Sequence, residues 1–333
     1  MKATLECCKL KKGPGGGSLT LGLLVLAAGA CSESPNVDAP LLPTAPPSCA
    51  QLPKTCGPTG DGDCCESLQV PGGSFLRNND PALPATVSSY RLDKYEITVG
   101  RFRQFLDAYD AWRAEGGLSA GLGAHSGIAA SGWDPAWPIG ESAASIKLQL
   151  KCDRTVQTWT DAPGGNETRP LSCLNWYEAF AFCAWDGGRL PTLAEWNIAA
   201  SAGNEQREYP WSVPPTDTTI NPEYASYYSM QDCLGDGEPG CKVTDLVAVG
   251  SKPRGNGKYG HADLAGNVRE WVLDKSRSYP NPCVDCAALG PGELRALRGG
   301  AWNNLDVLVK SSAELEDYPE NHYLVIGARC ARK

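Results

Sequence analysis

The cysteines constrain what this chain can fold into more than any other residue type. Of the 15, Cys7 and Cys8 lie in an N-terminal stretch where Lys2, Lys9, Lys11 and Lys12 precede the apolar run 19–28 and then Ala28-Gly29-Ala30-Cys31. A cationic start, a short apolar run and small residues before a cleavage point form the pattern of a secretory signal peptide, here residues 1–30. The run is too short to cross a bilayer, which takes roughly 20 residues. Small residues ending at Cys31 resemble a lipobox, with Cys31 as the lipidated first residue of the mature chain. Ala28 stands where leucine is commonest in that motif, and ordinary cleavage nearby is the alternative. Setting aside Cys7, Cys8 and Cys31 leaves 15 − 3 = 12 cysteines, an even number in a chain sent to an oxidising compartment, which predicts disulfides. Zinc fits less well, because Cys283 and Cys286 form one CxxC with no second, and histidine occurs only at His125, His261 and His322.

Export and a lipid anchor place the chain in the cell envelope, periplasmic or at the cell surface, with the membrane as a partner through the lipid. Residues 31–48 are proline-rich with no apolar period and read as a tether. Residues 49–65 carry Cys49, Cys56, Cys64 and Cys65, whose pairing the spacing leaves open, and residues 66–333 read as one large domain. A net charge of −8, with no basic run after the N-terminus, argues against nucleic acid as a partner. The balance of 37 Gly, 26 Pro and 10 Trp against 2 Met predicts a loop-rich body pinned by aromatic anchors rather than a helical bundle.

Three helices are signalled. Val99, Phe102, Phe105, Leu106 and Tyr109 fall at helical spacing behind Thr98 as N-cap. A second helix is expected over Trp176 to Trp185, with Asn175 capping, Glu178 three residues on and Gly187-Gly188 ending it. A third follows the capping box Thr192-Leu-Ala-Glu195 and stops at Gly203. Short strands are expected at Val70 to Phe75 and Tyr90 to Tyr95, and elsewhere short apolar pieces alternate with Gly, Pro and Asn, predicting twisted strands and much ordered loop.

Eight phrases, in order over residues 66 to 333, together resemble the formylglycine-generating (sulfatase-modifying factor) enzymes. They are Val70-Pro-Gly-Gly-Ser-Phe75, Leu92-Asp-Lys-Tyr-Glu-Ile-Thr-Val99, Asn175-Trp-Tyr-Glu-Ala179, Arg189-Leu-Pro-Thr-Leu-Ala-Glu-Trp196, Tyr209-Pro-Trp-Ser212, Asp263-Leu-Ala-Gly-Asn-Val-Arg-Glu-Trp271, Arg298-Gly-Gly-Ala-Trp302 and Ile326-Gly-Ala-Arg-Cys330. The resemblance implies an α+β fold of the C-type-lectin-like kind with little regular structure. It also implies a bridge between Cys183 and Cys330, while proximity in sequence pairs Cys152 with Cys173, Cys233 with Cys241, and Cys283 with Cys286.

Fold does not fix function. The family's enzymes oxidise a substrate cysteine with two cysteines that bind copper; aligned on Gly299-Gly300, Asn304 replaces the first and Val309 the second, and Ala301 replaces the usual Ser. An amide and an isopropyl group are neither soft ligands nor redox centres, so copper is not expected. Iron is not expected either, since the related sulfoxide synthases draw its ligands from a His-rich domain absent from the pattern here. Cys283 and Cys286 have CxxC spacing, but their neighbours Pro282 and Asp285 supply no cation to stabilise a thiolate, so a structural disulfide is expected. The phrase beginning at Asp263 resembles a calcium loop, with Asp263, Gly266, Val268 and Glu270 as ligands; a hydrogen-bonded turn is the alternative. A second calcium loop is not assigned, because Ser226 stands where Asn is expected. Trp302, Asn303 and Asn304 are candidates for a binding floor, and core packing of Trp302 is the competing reading. Two functions follow: a non-catalytic recognition or scaffold module with a protein, peptide or glycan ligand, and an oxidoreductase relative with altered chemistry.

Overall fold

Thr98 opens α1 (Val99–Ala114) by accepting a hydrogen bond from the Arg101 N–H, as its position before the apolar stripe requires. A short α2 (Ala143–Gln149) was not signalled; Ser145 closes its capping box with Ser142 where the usual Glu or Gln is missing. Asn175 and Glu178 form the reciprocal box of α3 (Trp176–Trp185), and Thr192 and Glu195 that of α4 (Leu193–Ala200). The computed structural model describes residues 45–290 and 292–333, so the expected signal peptide, Cys31 and most of the expected tether lie outside it.

The strands are β1 (Ser67–Val70), β2 (Gly73–Leu76), β3 (Pro84–Val87), β4 (Tyr90–Asp93), β5 (Arg269–Lys275), β6 (Cys283–Val284), β7 (Arg295–Arg298), β8 (Leu315–Asp317), β9 (Ile326–Gly327) and β10 (Ala331–Arg332). They form three small sheets, ordered β1-β4-β10, β2-β3-β6 and β8-β7-β5-β9. The single strand expected from Val70 to Phe75 is two, separated by Pro71-Gly72 and belonging to different sheets. Gly72 permits this crossing: a Cβ there would sit 2.5 Å from the Val87 carbonyl oxygen.

Strand β5 is buried along its middle and organises the core. Tryptophans fix the elements around it through their indole N–H groups, which need acceptors once buried. Trp271 donates to the Leu174 carbonyl at 2.7 Å and Trp176 to the Val272 carbonyl at 2.9 Å, stitching α3 and its approach to β5.

Residues Ala45–Lys333 form one compact unit. The Cys-rich segment 49–65, read above as a lead-in to a domain beginning near Glu66, packs as part of that unit. Buried Arg101 shows why. Its guanidinium donates to Asp93 and Asp186 at 2.9 and 2.6 Å, and its remaining N–H groups reach the Ser48 hydroxyl and the Cys64 carbonyl. Without that segment the buried guanidinium would lose the Cys64 carbonyl, a cost of about 1–3 kcal/mol.

Among the described residues there are six disulfides: Cys49–Cys65, Cys56–Cys64, Cys152–Cys173, Cys183–Cys330, Cys233–Cys241 and Cys283–Cys286. Cys183–Cys330 ties the end of α3 to the residue before β10 across a sequence separation of 147.

Candidate functional site

Two loops meet at the end of the β5–β7 pair. One, from Asp263 to Val268, enters β5; the other, from Gly299 to Val309, leaves β7. Gly299 and Gly300 have φ of +84° and +65°, a region that costs other residues strain. A Cβ on Gly300 would lie 2.5 Å from the Leu308 carbonyl oxygen and 2.6 Å from Val309 Cγ1, so the loop folds back onto the glycine pair. The loops are joined by the Gly266 N–H donating to the Gly299 carbonyl at 2.9 Å and the Trp302 N–H donating to the Asn267 carbonyl at 3.0 Å.

The positions at which the resemblance places thiolates are turned into structure. Asn304 is buried, its Oδ1 accepts the Ala301 N–H and the Arg269 Nε–H, both at 3.0 Å, and its carbonyl accepts the Tyr228 N–H at 2.8 Å. Val309 is fully buried among Tyr209, Tyr227 and Ala265. Neither side chain offers a soft donor, and every cysteine among the described residues is in a disulfide.

Of the three candidates for a binding floor, Trp302 is in the core with its Nε1–H unpartnered, Asn304 is committed to the turn, and Asn303 is exposed. The open surface lies beside them. A recess of about 210 Å³ is lined by Ile220, Tyr227, Tyr228, Ser229, Met230 and Asp306. Met230 and Val307 on this side are 75% and 52% exposed, unusual for large apolar side chains. Sequence reading missed Tyr228 and Met230 because they come from a separate loop, joined here by the bridge between Tyr228 and Leu305.

The residues of the expected calcium loop are buried together with one that was not assigned a role, Glu96. Its carboxylate accepts from Asn267 Nδ2 at 2.7 Å and the Val268 N–H at 3.1 Å. Burial raises the Glu96 carboxyl well above its ordinary pKa, with Asp263 and Glu270 adding to the effect. Burial likewise pushes Asp263 up to about 6, although Gly250 donates a backbone N–H to it at 2.6 Å. Asn267 Oδ1 has no partner. Three buried carboxylates therefore share one guanidinium, Arg329. Its Nε and Nη2 grip both oxygens of Glu270 at 2.7 Å, and Trp196 Nε1 also donates to Glu270 at 2.8 Å.

This donor set of carboxylate and amide oxygens suits a hard cation. Glu270, expected among the ligands, already carries three hydrogen bonds on its oxygens. Arg329 was in plain view in the C-terminal phrase, but nothing in local spacing connects it to a glutamate 59 residues earlier.

The chain matches the family model described as the sulfatase-modifying factor enzyme 1-like domain over residues 54–333. It is 25% identical over 305 residues to the "Inactive C-alpha-formylglycine-generating enzyme 2" of Bos taurus, covering 82% of this chain and 89% of that protein. It is 27% identical over 269 residues to the "Hercynine oxygenase" of Mycobacterium tuberculosis, covering 77% of this chain and only 55% of that protein. Among solved structures, PvdO from Pseudomonas aeruginosa superposes with a TM-score of 0.52 at 23% identity, covering 85% of this chain and all (100%) of that one. That likeness shows the mixed α and β fold, and the sequence match shows the kinship: the chain belongs to the sulfatase-modifying factor enzyme 1-like domain family.

Proposed function

We propose that this chain is an exported lipoprotein, held in the cell envelope through Cys31, whose domain serves as a non-catalytic recognition or scaffold module. One observation carries the reading: the two thiolate positions hold Asn304 and Val309, the first tied into a turn and the second packed in the core. A relative of similar length bears the description "Inactive". The recess lined by Tyr228, Met230 and Asp306, with exposed Asn303 beside it, supplies aromatic, thioether, amide and carboxylate groups of the kind that hold a peptide or glycan. Calcium belongs to the same proposal, held by Asp263 and the backbone oxygens of Gly266 and Val268, with Glu270 positioned by Arg329 at its edge; it supplies charge compensation for the buried carboxylates.

Aerobic incubation of the purified protein with single-cysteine peptides tests the non-catalytic claim. The expected result by mass spectrometry is unchanged peptide, and conversion of the cysteine to an aldehyde overturns the claim. The second reading, an oxidoreductase with altered chemistry, draws on the hercynine oxygenase similarity, which spans only part of that protein. It requires oxygen uptake that follows substrate, measured in the same incubation.

A further inference from the structure

Methionine is ordinarily a filler of irregular core space, yet among the described residues none is buried. The chain has two, Met1 and Met230. All the cysteines among the described residues are bonded in pairs. Met230 therefore carries the one reduced sulfur among the described residues, and its side chain is 75% exposed.

The fold holds this sulfur at a defined place. Met230 lies in the turn Ser229-Met230-Gln231-Asp232, closed by the Ser229 N–H donating to the Asp232 carbonyl at 3.0 Å and by the bridge between Tyr228 and Cys233. The Cys233–Cys241 disulfide ties down the chain that leaves the turn. Met230 has a φ of +70°, a region where glycine or asparagine meets less strain, so the backbone gives no reason for methionine here. The side chain does give one. It lines the recess of about 210 Å³ together with Tyr227, Tyr228, Ile220 and Asp306, and a polarizable thioether on an aromatic wall is a favourable contact surface.

We propose that Met230 is a reversible oxidation site through which hydroperoxides change what the recess holds. The effect on binding rests on the reading of that recess as the ligand surface; the oxidation itself does not. The thioether sulfur attacks one oxygen of hydrogen peroxide and the O–O bond breaks. The other oxygen leaves as hydroxide and takes the proton of the transferred oxygen to become water. The sulfur is oxidised by two electrons to a sulfoxide and the peroxide is reduced. A thiol-dependent sulfoxide reductase reverses the step, oxidising two thiols to a disulfide and releasing the oxygen as water. Oxidation thus exchanges an apolar group for a polar, hydrogen-bond-accepting one in the same wall as Tyr227 and Tyr228, and an aromatic part of a ligand loses its sulfur contact. The cystine sulfurs are already oxidised and do not compete for the same mild reagent.

The test treats the purified full protein with dilute hydrogen peroxide and maps the products by mass spectrometry. The expected result is one added oxygen, on Met230, formed at a rate close to that of free methionine and removed by methionine sulfoxide reductases. The binding arm uses p-cresol as an aromatic probe, followed by the carbon-13 methyl resonance of labelled methionine, which Met230→Leu assigns, and by tyrosine fluorescence. Sulfoxide formation is expected to weaken p-cresol binding about two- to tenfold, the range of one sulfur–aromatic contact. Met230→Gln is expected to bind as weakly as the oxidised protein, and Met230→Leu to bind as the reduced protein does whether or not peroxide is added. Oxidation of Met230 far slower than free methionine, or prior oxidation of another residue, overturns the modification site. Equal p-cresol binding before and after oxidation overturns its effect on the recess. Reduced protein that binds no p-cresol contradicts instead the reading of the recess as a ligand surface.

Discussion

Glu270 and Arg329 show how a single residue can change the reading of a site. Glu270 was expected to ligate calcium. The structure makes it the fork partner of a fully buried arginine, with both side chains at 0% exposure. Glu270→Ala thus strands a buried guanidinium, and such broken pairs cost about 3–5 kcal/mol. A large fall in melting temperature with or without calcium is the expected result, and a wild-type curve would show that Arg329 finds other partners. Asp263 is the better probe of the ion. If calcium is held there, saturating calcium raises the wild-type melting point by the equivalent of about 2.7 kcal/mol at one hundred times its dissociation constant, a chelator reverses this, and Asp263→Asn abolishes it. Identical wild-type curves in calcium and chelator remove the ion from the account.

At the scale of elements, α4 is held at its start from two directions. Its own capping box joins Thr192 and Glu195, and Asp274 on β5 accepts the Leu193 N–H at 2.7 Å and the Ala288 N–H at 2.8 Å. Burial pushes the Asp274 carboxyl up to about 6, above the unfolded value, so the folded state holds its proton to higher pH than the unfolded chain does. Its contribution is present at acid pH and is lost as pH rises through about 6. Asp274→Asn is expected to flatten the fall in melting temperature between pH 5 and 7.5; an unchanged slope assigns the dependence to other groups. Caps of this kind explain what was legible beforehand. Helices α1, α3 and α4 carry apolar periodicity and a recognisable N-cap, all within a dozen residues. Helix α2 has seven residues and a serine at the third position, too little signal to raise it above loop. Two-residue strands such as β6 and β9 have no local period, and only their partners define them.

For the whole molecule, the order of the family phrases conveyed the fold, because they recur in one order along elements of all three sheets and the helices between them. The candidate site was less legible. The replaced thiolate positions were visible at Asn304 and Val309, but the recess beside them needs Tyr228 and Met230, which chain topology brings in. The long bridge Cys183–Cys330 belongs to this scale too. Its removal as the double Ala variant is expected to cost about 2–4 kcal/mol, read by chemical denaturation, and an unchanged midpoint would mean the packing of α3 alone holds the C-terminus. The central proposal is that this domain does not carry out the copper–thiolate chemistry that the resemblance implies for the family's enzymes. Copper(I) titration of the purified, non-reduced protein against a competing chelator tests it most directly. The account predicts no stoichiometric uptake, since Asn304 and Val309 offer no soft ligand and the described cysteines are bonded. Tight binding of one copper per chain, lost on substitution of Asn304, would contradict it.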